Sequence, residues 1–172
     1  MLNARTFVTA AAAAVVALTV SAGAQALDTK PMLTLDMAKK IADACEALQV
    51  AKGDWRPINI AIYDDGGNLK LFRRQENAFL GSIKVSQMKA ATSSNFPFPS
   101  RLFGELAFGK DGQPGAIPGL AFVPGFAAFP GGVPITTASG ALIGGVGVSG
   151  ATGDQDEECA QAGVASIADM LN

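Results

Sequence analysis

The chain has 172 residues, a formal net charge of -2, no histidine, two cysteines, twenty glycines and nine prolines. One domain is the expectation at about 100–200 residues per domain; without imidazole, Ser-His-Asp and Cys-His catalysis, His-based zinc sites and His-ligated haem are excluded. A near-neutral balance offers no cationic face for nucleic acid, and an apolar share of 49% against 16% charged residues excludes disorder by composition.

Residues 1–26 read as a cleavable secretory signal. Arg5 marks a positive start, Phe7 to Val20 is an uncharged apolar core, and Ala22-Gly23-Ala24 and Ala24-Gln25-Ala26 are small-x-small cleavage patterns. The apolar run is shorter than the roughly 20 residues a membrane span needs. The expectation is a mature domain of residues 27–172, periplasmic or secreted, with no stable membrane insertion after cleavage. Cys45 and Cys159 would then meet an oxidising compartment, where a disulfide can persist. Free, small buried thiols are the reading preferred from sequence.

Thr34 is a candidate N-cap for a helix in which Leu35, Ala38, Ile41, Ala42, Cys45 and Leu48 recur at helical spacing, ending at Gly53. Ile58, Ile60 and Ile62 alternate as in a strand. Asp64-Asp65-Gly66-Gly67 turns the chain into a second strand over residues 68–73, a β-hairpin. A small-residue-rich helix is predicted over 78–95 and ends at Phe96-Pro97-Phe98-Pro99. The stretch from Phe96 to Pro134 carries seven of the nine prolines and reads as loop and short strand only, with strand candidates at 120–129 and 133–138. Ala141 to Ser149 is a glycine-containing strand. Thr152 to Gln155 is a capping box opening a last helix to about Leu171. Antiparallel strand pairs with helices between them indicate α+β.

Several motifs look chemical. Gly104 to Lys110 spells most of a P-loop, but Asp111 stands where Ser or Thr is needed and no helix follows. Gly145 to Gly150 matches GxGxxG without a second parallel strand to complete a dinucleotide unit. Ser86-Gln-Met-Lys89 matches S-x-x-K without its companion motifs. Asp154, Asp156 and Glu158 could hold a hard cation, or could simply complement the start of the last helix. A wider constellation is formed by Lys89 and Thr92, three residues apart on the central helix, with Phe96 at its end and the glycine-rich turns around Gly131, Gly132, Pro134 and Ser149. A lysine plus exposed backbone N–H groups suits a carboxylate or propionate. Helix–sheet packing with Lys89 reaching out to solvent explains the same residues.

The hairpin Ile58 to Leu69, the Lys89-Ala90-Ala91-Thr92-Ser93 helix segment, Gly131-Gly132-Val133-Pro134-Ile135, Ile143 to Gly150, and the acidic Asp156-Glu157-Glu158 start of the last helix come in that order along the chain. Together they resemble the HbpS/GlcG haem-binding-protein-like family, which also includes the C-terminal domain of PduO-type proteins. The resemblance implies a profilin-like or roadblock-like fold, a central antiparallel sheet of about five strands flanked by helices, assembled into homo-oligomers. It implies haem or tetrapyrrole binding for some members and small organic-acid metabolism for others. With no histidine, iron in a bound haem would fall to Thr92, Tyr63, Met88 or a cysteine. Seven phenylalanines between Phe96 and Phe129 could line a pocket for a porphyrin, form an oligomer interface, or build a satellite core. The expectation is an exported protein binding haem or another planar, carboxylate-bearing small molecule. The alternatives are an enzyme acting on a small hydroxy- or oxo-acid or an aromatic aldehyde through Lys89 as acid/base or Schiff-base residue, and a structural or regulatory homo-oligomer.

Overall fold

The computed structural model describes residues 29–172; the 1–26 segment lies outside the described residues. The elements are α1 (Leu35–Lys52), β1 (Asn59–Asp64), β2 (Leu69–Arg74), α2 (Leu80–Asn95), α3 (Ser100–Phe108), β3 (Gly132–Thr136), β4 (Leu142–Ser149) and α4 (Gly153–Ala165), with 3₁₀ turns at Pro118–Phe122 and Ala168–Met170. The four strands form one antiparallel sheet in the order β2-β1-β4-β3. The fold is α+β, with four strands rather than about five among the described residues.

The two faces of the sheet are built on different principles. On one face α1 and α4 pack together, and Ile41, Ile58, Ile60, Ile62, Val146 and Val148 form a large aliphatic core. On the other face α2 lies across β4, β1 and β3. Its contact side carries Ser86, Ala90, Ser93 and Ser94, all buried. Beneath it Gly145 and Gly147 have no side chain to hold it off: a Cβ on Gly147 would run into the carbonyl of Ser86 and the amide of Ala90, and one on Gly145 into the amide of Ser94. Glycine in this strand is therefore a requirement of close backbone approach.

Local signals account for the helix ends. Thr34 accepts the amide of Met37 at the start of α1 (3.2 Å), and Gly53 closes that helix with φ +74°. Thr152 and Gln155 form a reciprocal capping box on α4.

Four expectations differ from the structure. Between the prolines lies a true helix, α3, because Ser100 to Phe108 is proline-free and places Leu102, Phe103, Leu106 and Ala107 at helical spacing. No strand forms over 120–129; Pro118 opens a 3₁₀ turn, and Pro124-Gly125 (φ +86° at the glycine) bends the chain again. The cysteines are not free: Cys45 of α1 and Cys159 of α4 form a disulfide with a Cα–Cα distance of 4.7 Å, and both residues are fully buried. Helix periodicity alone does not report that the two helices lie side by side. The last helix ends at Ala165 rather than near Leu171.

Replacing Gly147 with alanine should cost about 1–3 kcal/mol in urea unfolding, the usual result of overpacking; a loss within surface-substitution range, under about 0.5 kcal/mol, would contradict the close seating of α2. Replacing both cysteines with alanine should cost about 2–5 kcal/mol, because the cross-link constrains a long loop in the unfolded chain. Dithiothreitol without denaturant should leave the native disulfide intact, checked by alkylation and mass measurement.

Candidate functional site

The side chain of Lys89 leaves α2 on the flank facing β3 and α4, and it is 2% exposed. Its Nζ donates to the carboxylate Oδ2 of Asp156 and to the carbonyl of Val148, each at 2.8 Å. The Phe129 ring lies 5.4 Å from the ammonium. Gly131, at φ +119°, passes so close that a Cβ there would meet the Lys89 Nζ. Asp156 is equally buried, and its Oδ1 accepts the Ala151 amide at 3.1 Å. One ion pair thus joins α2, β4 and α4.

Desolvation pushes the Lys89 ammonium below the ordinary lysine value, and the Asp156 charge and hydrogen bond oppose that push. Desolvation raises Asp156 above the ordinary carboxylate range against the pull of Lys89. Two of the three Lys89 N–H donors are taken by protein oxygens, and at 2% exposure the ammonium is shut off from solvent. Lys89 does not snorkel to solvent.

The other expected site residues are placed as follows. Thr92 is buried; its Oγ1 donates to the Met88 carbonyl (2.9 Å) and accepts the Ala127 amide (2.8 Å), which pins the 123–129 loop to α2. Gly132 donates its amide to Ser100 Oγ (2.8 Å), and Ser100 donates to the Phe129 carbonyl (2.7 Å). Pro134 sits in β3 opposite Gly145, and Ser149 ends β4 opposite Asn59. Phe96 is half-buried in an aromatic cluster, 5.3 Å from Phe98, 5.5 Å from Phe103 and 5.6 Å from Phe126 between ring centres. That cluster builds a satellite core under α3. Lys89, Thr92, Gly131 and Gly132 are therefore neighbours, and they meet through close packing.

The acidic residues of α4 part company. Asp154 pairs with Arg101 (2.6 Å), Asp156 with Lys89, and Glu158 with Lys52 (2.8 Å). Among the described residues no group of three or more His, Cys, Asp or Glu side chains is placed to hold a metal ion. Ser86 donates to the Ile83 carbonyl (2.9 Å) and makes no bond to Lys89. Lys110 of the P-loop-like stretch pairs with Glu105 at 2.9 Å.

Sequence reasoning missed two partners. Asp156, 67 residues from Lys89, was legible as an acidic helix start or a cation ligand, not as the partner of a lysine. Arg101 bonds both Asp154 and the buried Glu157, the latter at 2.6 Å, and lies in a helix that the surrounding prolines concealed.

A single antiparallel sheet, an aliphatic core on one face and a glycine-seated helix clamped by a buried ion pair on the other define a small α+β domain. A family model described as "Haem degrading protein HbpS-like" matches residues 33–165, and the chain belongs to this HbpS-like family. A 15.0 kDa protein from the dhaT-dhaS intergenic region of Citrobacter freundii is 34% identical over 132 residues, covering 75% of this chain and 87% of the relative. Protein GlcG of Escherichia coli K12 is 32% identical over 125 residues, covering 72% and 85%. A crystal structure of a double mutant of Streptomyces reticuli HbpS superposes with a TM-score of 0.70 at 34% identity, covering 90% of this chain and 97% of that one.

Replacing Lys89 with methionine leaves Asp156 buried without its counter-charge and should cost about 3–5 kcal/mol in thermal or chemical unfolding. The double variant Lys89→Met/Asp156→Leu should recover most of that loss. A double variant no more stable than the single one would show that the stranded charge is not the cause.

Proposed function

We propose that the chain is an exported protein that binds haem or another planar, carboxylate-bearing small molecule and works as a homo-oligomer. The observation that carries this reading is the match to the HbpS-like family along residues 33–165, together with 34% identity to HbpS. The signal-like pattern of residues 1–26 supports export. The buried Cys45–Cys159 disulfide supports a destination outside a reducing cytosol. Exposed Phe108, Ile117 and Phe122 around α3 support assembly, because such side chains are usually covered when they cluster. Among the described residues no helix is long and apolar enough to cross a membrane.

Haem does not fit at Lys89. The ammonium already serves Asp156 and Val148, and Gly131 and Phe129 occupy the space around it. The same packing argues against Schiff-base or proton-transfer chemistry through this lysine. Any bound tetrapyrrole must lie outside the α2–sheet contact, with an oxygen or sulfur ligand to its iron in place of imidazole.

Titration of the processed protein with ferric haem should produce a shifted Soret band that saturates at micromolar concentrations, on the order of -8 kcal/mol of binding. An unchanged haem spectrum would remove haem from this reading. Mass measurement of the chain recovered from its native compartment should place the mature N-terminus at Leu27.

A further inference from the structure

The sheet register lays out a second surface on the face that carries α2. Gly145 and Gly147 point at α2, so their cross-strand partners Tyr63 and Ala61 share that face. On β2 it continues with Leu69 and Phe72, opposite Tyr63 and Ala61, and ends at Arg74, opposite Asn59. The direction is fixed independently: Asn59 Nδ2 donates to the Phe79 carbonyl at the start of α2 (3.1 Å). Arg73 points the other way, to Asp43 and Glu46 of α1.

The packing of α2 over β4, β1 and β3 leaves β2 at its margin. Helical spacing puts Leu80, Lys84 and Gln87 on one flank of α2, opposite the flank from which Lys89 departs. That flank lies on the β1 side of the helix, with β2 beyond it in the sheet order. The result is an open shelf with Leu69 48% and Leu80 72% exposed. Tyr63 and Phe72 are half-buried in its floor. Arg74 and Lys84 are exposed at its borders and, among the described residues, neither has an ion-pair partner. Two exposed cations thus stand beside a floor that holds Tyr63 and Phe72.

We infer that this shelf is the docking surface for a planar amphiphilic dicarboxylate of the tetrapyrrole class. A flat, aromatic-floored surface takes a flat ring face by stacking and burial of apolar area. The Arg74 guanidinium and the Lys84 ammonium complement two carboxylates at the ring's edge. Tyr63, the single tyrosine of the chain, brings the phenol oxygen among the iron-ligand candidates to the same face. The inference rests on the ligand reading above and moves the ligand to the opposite flank of α2 from Lys89.

Metal-free protoporphyrin IX and ferric haem are titrated against the full processed chain and its Arg74→Glu/Lys84→Glu variant, with amide shifts followed by NMR. Both substituted residues are exposed, so the variant should keep the unfolding midpoint of the parent. The expected result is an affinity for both porphyrins weakened about tenfold or more in the variant, from loss of charge-assisted contacts, with parent amide shifts confined to β2, Tyr63 and the first half of α2. Affinity unchanged within about twofold, with shifts in the 96–131 segment instead, would overturn the shelf and leave the ligand reading standing. A parent chain that binds neither porphyrin would overturn the ligand reading and the shelf with it. Slow amide exchange along β2 in a ligand-free dimer would assign the shelf to a second copy and overturn the inference. Flotation of the chain with phosphatidylglycerol vesicles, with no response to protoporphyrin, would overturn it in favour of a lipid surface.

Discussion

The fold depends on how closely α2 approaches β4. Helix and strand backbones meet where Gly145 and Gly147 face Ser86, Ala90, Ser93 and Ser94, a separation that admits no Cβ on the strand side. Close contact of this kind gains dispersion from many atom pairs but buries few large apolar groups. The hydrophobic contribution comes chiefly from the opposite face, where isoleucines and valines of the sheet meet α1 and α4. The sheet is thus an apolar floor for two helices and a flat, nearly side-chain-free seat for a third. A helix seated so tightly leaves no room for a ligand beneath it.

Lys89 follows from that seating. Its side chain has to leave from the flank of α2, and the polypeptide receives it with Val148, Asp156 and the Gly131 turn. Burying two charges is expensive, and attraction between them offsets that cost only when geometry and hydrogen bonds are both good. Here the Val148 carbonyl and the Ala151 amide supply the additional bonds. The pair ties the two layers of helices together across the sheet edge, while the Cys45–Cys159 disulfide ties α1 to α4 within one layer. Thr92 and Ser100 then hold the 123–132 segment over the lysine through backbone hydrogen bonds. The glycines, lysine and threonine that look like a ligand cradle form a connected packing unit.

Much of the fold was legible in the sequence. Alternating Ile58, Ile60 and Ile62, the Asp64 to Gly67 turn and the Thr152–Gln155 capping box are local signals, and each produced its element. Apart from α3 and the 120–129 segment, the order of helices and strands was legible too. What was not legible depends on distance in sequence. The 67-residue step from Lys89 to Asp156 and the 114-residue step from Cys45 to Cys159 leave no periodic trace. The nine residues of α3 were hidden because proline density describes a stretch, whereas a helix needs only a proline-free interval within it. The shelf beside β2 was invisible because cross-strand register, not sequence spacing, places Arg74 and Phe72 on the face of Tyr63 and α2.

Lys89 acts as a closed structural clamp. Side-chain NMR of the lysines reads it directly. The Lys89 ammonium protons should exchange far more slowly than those of the exposed lysines, and its signals should stay unmoved when the chain is saturated with protoporphyrin. A Lys89 ammonium that exchanges at the rate of a solvated lysine, or shifts as protoporphyrin is added, would show that the clamp is open.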